Sequence, residues 1–223
     1  MRKIVIFSGA GISAESGIST FRDANGLWEN HDIMEVASIE GWNTNPQLVL
    51  DFYNKRRSQL NDVHPNFAHH FLKGLEKDFD VVIITQNVDN LHEKAGSNNV
   101  IHLHGELDKV RSVANSKQLF QWKNDLCIGD LAPDGYQLRP HIVWFGEDVP
   151  MMDAAIDEVS TADYFIIIGT SLQVYPAASL IDYVPFQAKI ICIDPNEINF
   201  NSSIIHIREA ATVGVEKLRK ILY

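Results

Sequence analysis

Unbroken apolar runs punctuate the chain at residues 3–7, 81–85, 164–168 and 189–193, with weaker ones at 99–103 and 141–145. A strand covered on both faces reads as such a run, because neither face alternates with solvent. Between the runs, apolar residues recur with helical period at 46–60, 66–79, 89–95, 151–161, 177–184 and 213–222. Strands alternating with helices predict βαβ units in an α/β fold: a doubly wound parallel sheet with helices on both faces. Two stretches break the rhythm. Residues 28–64 are helical with no strand between, and residues 108–138 are polar with scattered apolar positions and no clear period. Both are expected to be insertions forming one smaller module. The expected layout is a single domain over 1–223, with its core at about 1–30, 65–107 and 140–223 and the module at about 31–64 and 108–139.

Composition narrows the class. The chain has 223 residues, 45% hydrophobic and 22% charged, enough to bury a core without staples. Its two cysteines, Cys127 and Cys192, exclude a disulfide framework and a four-thiolate zinc site. A formal charge of -10 argues against nucleic-acid binding, which needs a basic face. The opening apolar run is too short for a signal peptide, and no stretch reaches the roughly 18 apolar residues of a membrane span. The reducing cytoplasm is the expected location.

Candidate chemistry gathers at the predicted strand ends, where ligands of α/β sheets bind. The first strand runs into Gly9-Ala10-Gly11-Ile12-Ser13-Ala14, a G-x-G-x-x-A loop that suits either a plain tight turn or a phosphate held at a helix N-terminus. The acidic residue of a dehydrogenase site, about 20 positions further on, is missing. After residue 84 comes Thr85-Gln86-Asn87-Val88-Asp89-Asn90, suited to ribose hydroxyls and a carboxamide, or to capping the next helix. Gly169-Thr170-Ser171 and Asp194-Pro195-Asn196 end two more strands.

Of nine histidines, His102 and His104 stand out, placed by strand alternation on one face. They read as a metal pair, as a general base followed by the accessible Gly105, or as core histidines. In the helix predicted at 46–60, the stripe Val49, Phe52, Tyr53, Leu60 includes Arg56, whereas Arg57 falls off it. An inward guanidinium needs an anion, from the protein or from a ligand; otherwise Arg56 snorkels at the helix edge.

Together these segments resemble the sirtuins. Gly9 to Ile18 with Thr20-Phe21-Arg22, Thr85 to His92, His102-Leu103-His104-Gly105-Glu106-Leu107, Val143-Trp144-Phe145-Gly146-Glu147 and Gly169-Thr170-Ser171 match five sirtuin motifs in order. The resemblance implies a Rossmann-like core and an NAD-dependent protein-lysine deacylase. In that family the acyl oxygen attacks C1′ of the nicotinamide ribose, and the products are free lysine, nicotinamide and O-acyl-ADP-ribose. His104 is the implied general base. Residues 9–28 are the implied cofactor loop, including Gly9, Ala10, Gly11, Ser13, Ala14, Thr20, Phe21, Arg22 and Trp28. Gln86, Asn87 and Asp89 would hold the ribose and carboxamide, with further cofactor contacts at Gly169, Thr170, Ser171, Asp194 and Ala210. Val143, Phe145, Gly146 and Glu147 would pair with the backbone of an acylated-lysine protein or peptide as an added strand. Tyr53 and Arg56 resemble the Tyr-x-x-Arg of the subgroup that removes succinyl and malonyl groups, with Ala37 widening the acyl pocket.

The chain also departs from the family. Most sirtuins bind a structural zinc through two cysteine pairs; here that interval holds Cys127 alone, with Ser112 and Ser116 near where the first pair would stand. Zinc is not expected, and the zinc-ribbon-like region is expected to be held by packing of Leu119, Phe120, Trp122, Leu126, Ile128 and Tyr136. Where relatives carry Asn after the last core strand, this chain reads Cys192-Ile193-Asp194. The alternatives are an NAD glycohydrolase on the same fold, a non-catalytic NAD or ADP-ribose sensor, and a metal-dependent hydrolase using His102 and His104. Oligomeric state is open.

Overall fold

The computed structural model describes residues 1–19, 27–28, 31–198 and 204–223. In chain order its elements are β1 (Lys3–Ser8), α1 (Gly11–Ala14), β2 (Leu27–Trp28), β3 (His31–Asp32), α2 (Ile33–Val36), α3 (Ile39–Thr44), α4 (Pro46–Gln59), α5 (Phe67–Leu75), β4 (Asp80–Thr85), α6 (Leu91–Lys94), β5 (Val100–His102), β6 (Gly105–Ser112), β7 (Leu119–Gln121), β8 (Leu138–Ile142), α7 (Met152–Val159), β9 (Tyr164–Ile168), a 3₁₀ helix (Ala177–Tyr183), β10 (Lys189–Ile193), β11 (Ile205–Ile207) and α8 (Ala211–Leu222). None of the described helices is long and apolar enough to cross a membrane.

The apolar runs form a six-stranded sheet in the order β11-β10-β9-β1-β4-β5, all parallel. Period-two alternation splits each strand between two cores. Ile4, Ile6, Ile83, Ile166 and Ile191 face α5 and α8, whereas Val5, Phe7, Val82, Phe165 and Ile167 face α7 and the 3₁₀ helix. From β1 the chain steps outward to β4 and β5, and later fills the other side with β9, β10 and β11. The order therefore reverses between β1 and β9, where such sheets open a crevice at their carboxyl ends.

The two insertions share a third core. Val36, Ala37, Trp42, Val49, Phe52 and Tyr53 of the helical part pack with Leu107, Val110, Leu126, Leu138, Ile142 and Trp144. The structure departs from expectation here in four ways. The run at 141–145 is not a strand of the large sheet: β8 ends at Ile142 and pairs antiparallel with β6. The small sheet β7-β6-β8 therefore spans residues 105–142, wider than 108–139. Of the six residues expected to pack this region, Leu126 is buried and Phe120 and Trp122 half-buried, but Leu119, Ile128 and Tyr136 are exposed.

The fourth difference is Arg57, which falls off the apolar stripe and is nevertheless buried, at 3% exposure. Its Nε donates to the Leu107 carbonyl at 3.0 Å, and its Nη1 to Asn54 Oδ1 at 2.8 Å and to the Asn124 carbonyl at 3.4 Å. Asn54 also donates to the Leu126 carbonyl at 3.0 Å and accepts from the Leu126 amide at 2.9 Å. A polar clasp from α4 thus ties down the segment around residue 125. Burial lowers the Arg57 pKa, opposed by the charges of Asp125 and Asp108.

Candidate active site

A cavity of about 1120 Å³ runs along the carboxyl ends of β1, β4, β9 and β10 and reaches under the small module. At the β1/β9 switch point the two strand-end loops interlock. A Cβ on Gly11 would lie 2.7 Å from Gly169 Cα, and one on Gly169, whose φ is +66, would lie 2.3 Å from the Ile12 amide. Side chains there would force the loops apart. The amides of Gly9 and Gly11 are spent on this junction, donating to the Ile168 and Gly169 carbonyls at 3.0 and 2.8 Å. The glycine loop is therefore first a close-packing device, and those two amides are not offered to a phosphate. Asn66, ahead of α5, fixes the loop from below, donating to the Ile12 carbonyl at 2.7 Å and to Ser16 Oγ at 3.0 Å.

The amide and carboxylate cluster after β4 converges on this junction. Gln86 Nε2 donates to Thr170 Oγ1 at 3.0 Å, bridging the ends of β4 and β9. Buried Asn87 donates to the Gly9 carbonyl and to Ser13 Oγ, both at 3.2 Å. Asp89 accepts from the Leu91 amide at 3.1 Å and from Ser13 Oγ at 2.9 Å, so it steadies the start of α6 and also faces the cavity. Burial raises the Asp89 pKa, against these two hydrogen bonds and the charge of His102.

His104 lies in the turn between β5 and β6 and lines the cavity. Its Nδ1 lies 3.0 Å from the Gln86 carbonyl. A carbonyl only accepts, so Nδ1 carries the proton and neutral His104 keeps a bare Nε2 lone pair. Burial lowers its pKa, partly opposed by the same bond, which favours this basic form at neutral pH.

His102 does not pair with it. Its Nδ1 meets the Asn87 carbonyl at 3.1 Å and its Nε2 meets Glu93 Oε1 at 2.7 Å. Both partners are acceptors, so the ring holds two protons. Burial pulls its pKa down, but the Glu93 hydrogen bond and charge, with Glu106 and the Asn87 carbonyl, outweigh it and leave the value raised. The two histidines thus grip the consecutive carbonyls of Gln86 and Asn87, and neither ring nitrogen of His102 is open to a metal. Among the described residues no group of three or more His, Cys, Asp or Glu is placed to hold a metal ion.

Tyr53 and Arg56 of α4 line the same cavity, with Trp28 and Ala37. The Tyr53 hydroxyl accepts from Trp144 Nε1 at 3.0 Å and keeps its proton for another acceptor; burial raises its pKa. Arg56 is 8% exposed, and its guanidinium stands 4.3 Å from the Trp28 ring centroid and 5.7 Å from that of Phe52. It is inward, as its stripe position requires, not snorkelling.

Segment 143–147 also borders the cavity, but much of its polar capacity is used within the chain. The Val143 amide donates to the His104 carbonyl, and Phe145 exchanges bonds with the Ala37 carbonyl and the Ile39 amide. Glu147 accepts from Arg139 at 2.7 and 2.9 Å, from Arg111 at 3.2 Å and from the Trp144 amide at 2.9 Å. Its carboxylate holds the segment in place rather than reaching outward. Ala10, Ala14, Ser171, Asp194 and Ala210 line the cavity as well. Asp194 Oδ1 accepts from the amide and side chain of Asn196 at 2.9 and 3.0 Å, and Ala210 caps α8. Thr20, Phe21 and Arg22 lie outside the described residues.

Sequence reasoning missed Gln173 and Val174, which line the cavity beyond Ser171. The strand-end rule points to them once it is extended past the first three residues. Leu172, between Ser171 and Gln173, has φ +56, a left-handed backbone uncommon for leucine and the kind of strain found beside ligand sites.

Comparison with known proteins matches residues 9–176 to the Sir2 family. The chain is 58% identical to an NAD-dependent protein deacylase of Helicobacter pylori, over 98% of this chain and 96% of that one. It is 52% identical to one of Bacteroides thetaiotaomicron, over 100% and 98%. A Sir2 homologue in complex with NAD superposes with a TM-score of 0.87 at 39% identity, over 99% of this chain and 91% of that one. A Sir2 protein with a deacetylated peptide and 3′-O-acetyl ADP-ribose superposes at 0.83 and 28% identity, over 99% and 93%.

Proposed function

The chain belongs to the Sir2 family and is an NAD-dependent protein-lysine deacylase, and from that premise we propose that its preferred acyl groups are the acidic ones, succinyl and malonyl. The observation that carries the preference is the pair Tyr53 and Arg56, a hydroxyl and a buried guanidinium on one wall of the cavity that His104 also lines. A guanidinium fork and a phenol suit a carboxylate and give an acetyl group nothing to bond.

The donor set fits NAD: hydroxyl, amide and carboxylate groups around the strand ends suit ribose hydroxyls and a carboxamide. When bound, NAD supplies the electrophilic ribose carbon that nicotinamide leaves. Gln86, Asn87 and Asp89 bind and orient the ribose and carboxamide. Ala10, Ala14, Ser171, Asp194 and Ala210 line the remainder, with Gly9, Gly11, Gly169 and Thr170 setting the walls' shape. Trp28 closes the acyl end, stacked on Arg56. His104 Nε2 takes a proton from a ribose hydroxyl, its ring held by the Gln86 carbonyl. Val143 and Gly146 run along the peptide, using the Val143 carbonyl and the Gly146 amide, Phe145 flanks it with its partly exposed ring, and Glu147 steadies them. Residues 1–223 act as one unit, in the cytoplasm, where the free thiols Cys127 and Cys192 are at home.

The test is turnover of matched acetyl- and succinyl-lysine peptides with NAD, with products followed by mass. O-succinyl-ADP-ribose formed at higher kcat/KM than the acetyl product supports the preference, and the reverse order refutes it. Nicotinamide release that needs no peptide would indicate a glycohydrolase instead.

A further inference from the structure

A second cavity, of about 350 Å³, shares Val143 and Glu147 with the first. Its other walls are Arg111, Ser112, Val113 and Ser116 of β6 and the following turn, Arg139 of β8, and Asp148 and Pro150. None of the chemistry above uses it.

Its buried charge is unbalanced. Arg111 and Arg139 are 8% and 5% exposed, and the carboxylate they share is that of Glu147. Asp148, also on the wall, is exposed and its charge solvated. Arg139 is committed: it grips Glu147 with both terminal nitrogens, donates to the Ile142 carbonyl at 3.0 Å and lies 3.5 Å from the Trp144 ring centroid. Arg111 makes one contact with Glu147, at 3.2 Å; its buried Nε has no partner, and neither has that of Arg139. Burial and the neighbouring Arg139 charge pull the Arg111 pKa down, opposed by Glu147, as expected of a cation with too little anion around it. A buried guanidinium left short of acceptors is costly unless a ligand supplies them. Beside it, the buried Ser112 hydroxyl accepts from the Ala114 amide and retains its proton to donate.

We propose that this cavity is a carboxylate subsite that receives an Asp or Glu side chain of the protein substrate, close in sequence to the acylated lysine. The proposal rests on the deacylase reading. Location favours a substrate side chain over a free anion, because Val143 and Glu147 belong to the segment along which the peptide lies. The two cavities share Val143 and Glu147 as walls, so a side chain leaving an added strand there would lie beside the second. Arg111 then supplies the charge and Ser112 a neutral donor.

The experiment compares acyl-lysine peptides carrying Glu or Gln at each of the three positions on either side of the lysine, in turnover and in binding by fluorescence anisotropy. For the wild-type protein one position is expected to favour Glu about tenfold in kcat/KM and in Kd. In Arg111→Gln that Glu-to-Gln ratio falls to about one, and in Ser112→Ala it falls part way. Reading a ratio within each protein removes any general loss from the substitution, and the wild-type scan stands even if a variant does not fold. Turnover with no Glu preference at any position, or a preference that survives Arg111→Gln, overturns the subsite and leaves the deacylase intact. No turnover and no binding of any peptide overturns both. A rise in Tm with sodium succinate that requires Arg111, without a Glu preference, assigns the cavity to a free carboxylate and overturns the substrate source.

Discussion

Replacing Arg56 by Met tests the acyl preference most directly. Met keeps length and apolar volume against Trp28 and Phe52 but removes the guanidinium that now lies 4.3 Å from the Trp28 ring centroid. Arg56 is 8% exposed, so a carboxylate bonded to it would be largely out of water. Removing one partner of such a charge pair costs about 2–4 kcal/mol, most of it the penalty of leaving the other charge buried and unmatched. That corresponds to a fall of about 30- to 1,000-fold in the ratio of kcat/KM for succinyl over acetyl peptide. The lost stacking on Trp28, about 0.5–1 kcal/mol, weakens both substrates alike and cancels in the ratio. A third peptide, with the distal carboxylate converted to an amide, closes a double-mutant cycle: it loses most of its rate in the wild-type protein but little more in Arg56→Met. Equal losses on succinyl and acetyl peptides would refute the carboxylate clamp, since a general distortion of α4 does not distinguish the two acyl ends.

His104→Ala should lower kcat by at least about 100-fold. In the wild-type protein kcat/KM should rise with pH through a value below 6.5, the ordinary histidine pKa, because burial lowers that of His104 and the neutral form is active; an acid limb centred above 7 would contradict this. Asn54→Ala and Arg57→Leu break the polar clasp and should each cost about 2–4 kcal/mol, seen as a fall in Tm. Excess EDTA should leave the wild-type Tm unchanged. Buried His69 has its pKa lowered to about 4, so the unfolded chain binds the extra proton as pH falls below 6.5. Stability is therefore lost between about pH 6.5 and 4, by up to about 3 kcal/mol for this residue. His69→Gln, which keeps a capping side chain at its position, should flatten that loss in urea melts, and an unchanged slope would count against it.

The large sheet was legible because its strands are buried on both faces: the runs at 164–168 and 189–193 match β9 and β10 residue for residue. The small sheet was not, and the reason is local. A register shift between Glu106 and Val110 breaks the alternation of β6 where Asp108 and Lys109 stand, so no period of two survives in the sequence. A similar break misled the reading of His102 and His104. β5 ends at His102, His104 lies in a turn, and the pair grips two successive carbonyls instead of sharing one face.

Arg56 and Arg57 show the limit of a helical stripe most sharply. A single stripe describes a helix packed on one side. The helix α4 instead sits between the cavity and the small sheet, so two consecutive positions, about 100° apart around its axis, both point inward. The sequence carries a sign of the second face, since Asn54 and Arg57 are three residues apart and so adjacent on the helix surface. That sign gains meaning only once something polar is known to lie opposite, here the carbonyls of Leu107 and Asn124. The two arginines thus divide two tasks a few ångströms apart. Arg57 anchors the module in a region holding a single cysteine, and Arg56, on the helix so anchored, lines the cavity where we propose the acyl carboxylate binds. Loosening the Arg57 clasp should therefore weaken succinyl turnover through α4, without Arg56 itself being touched.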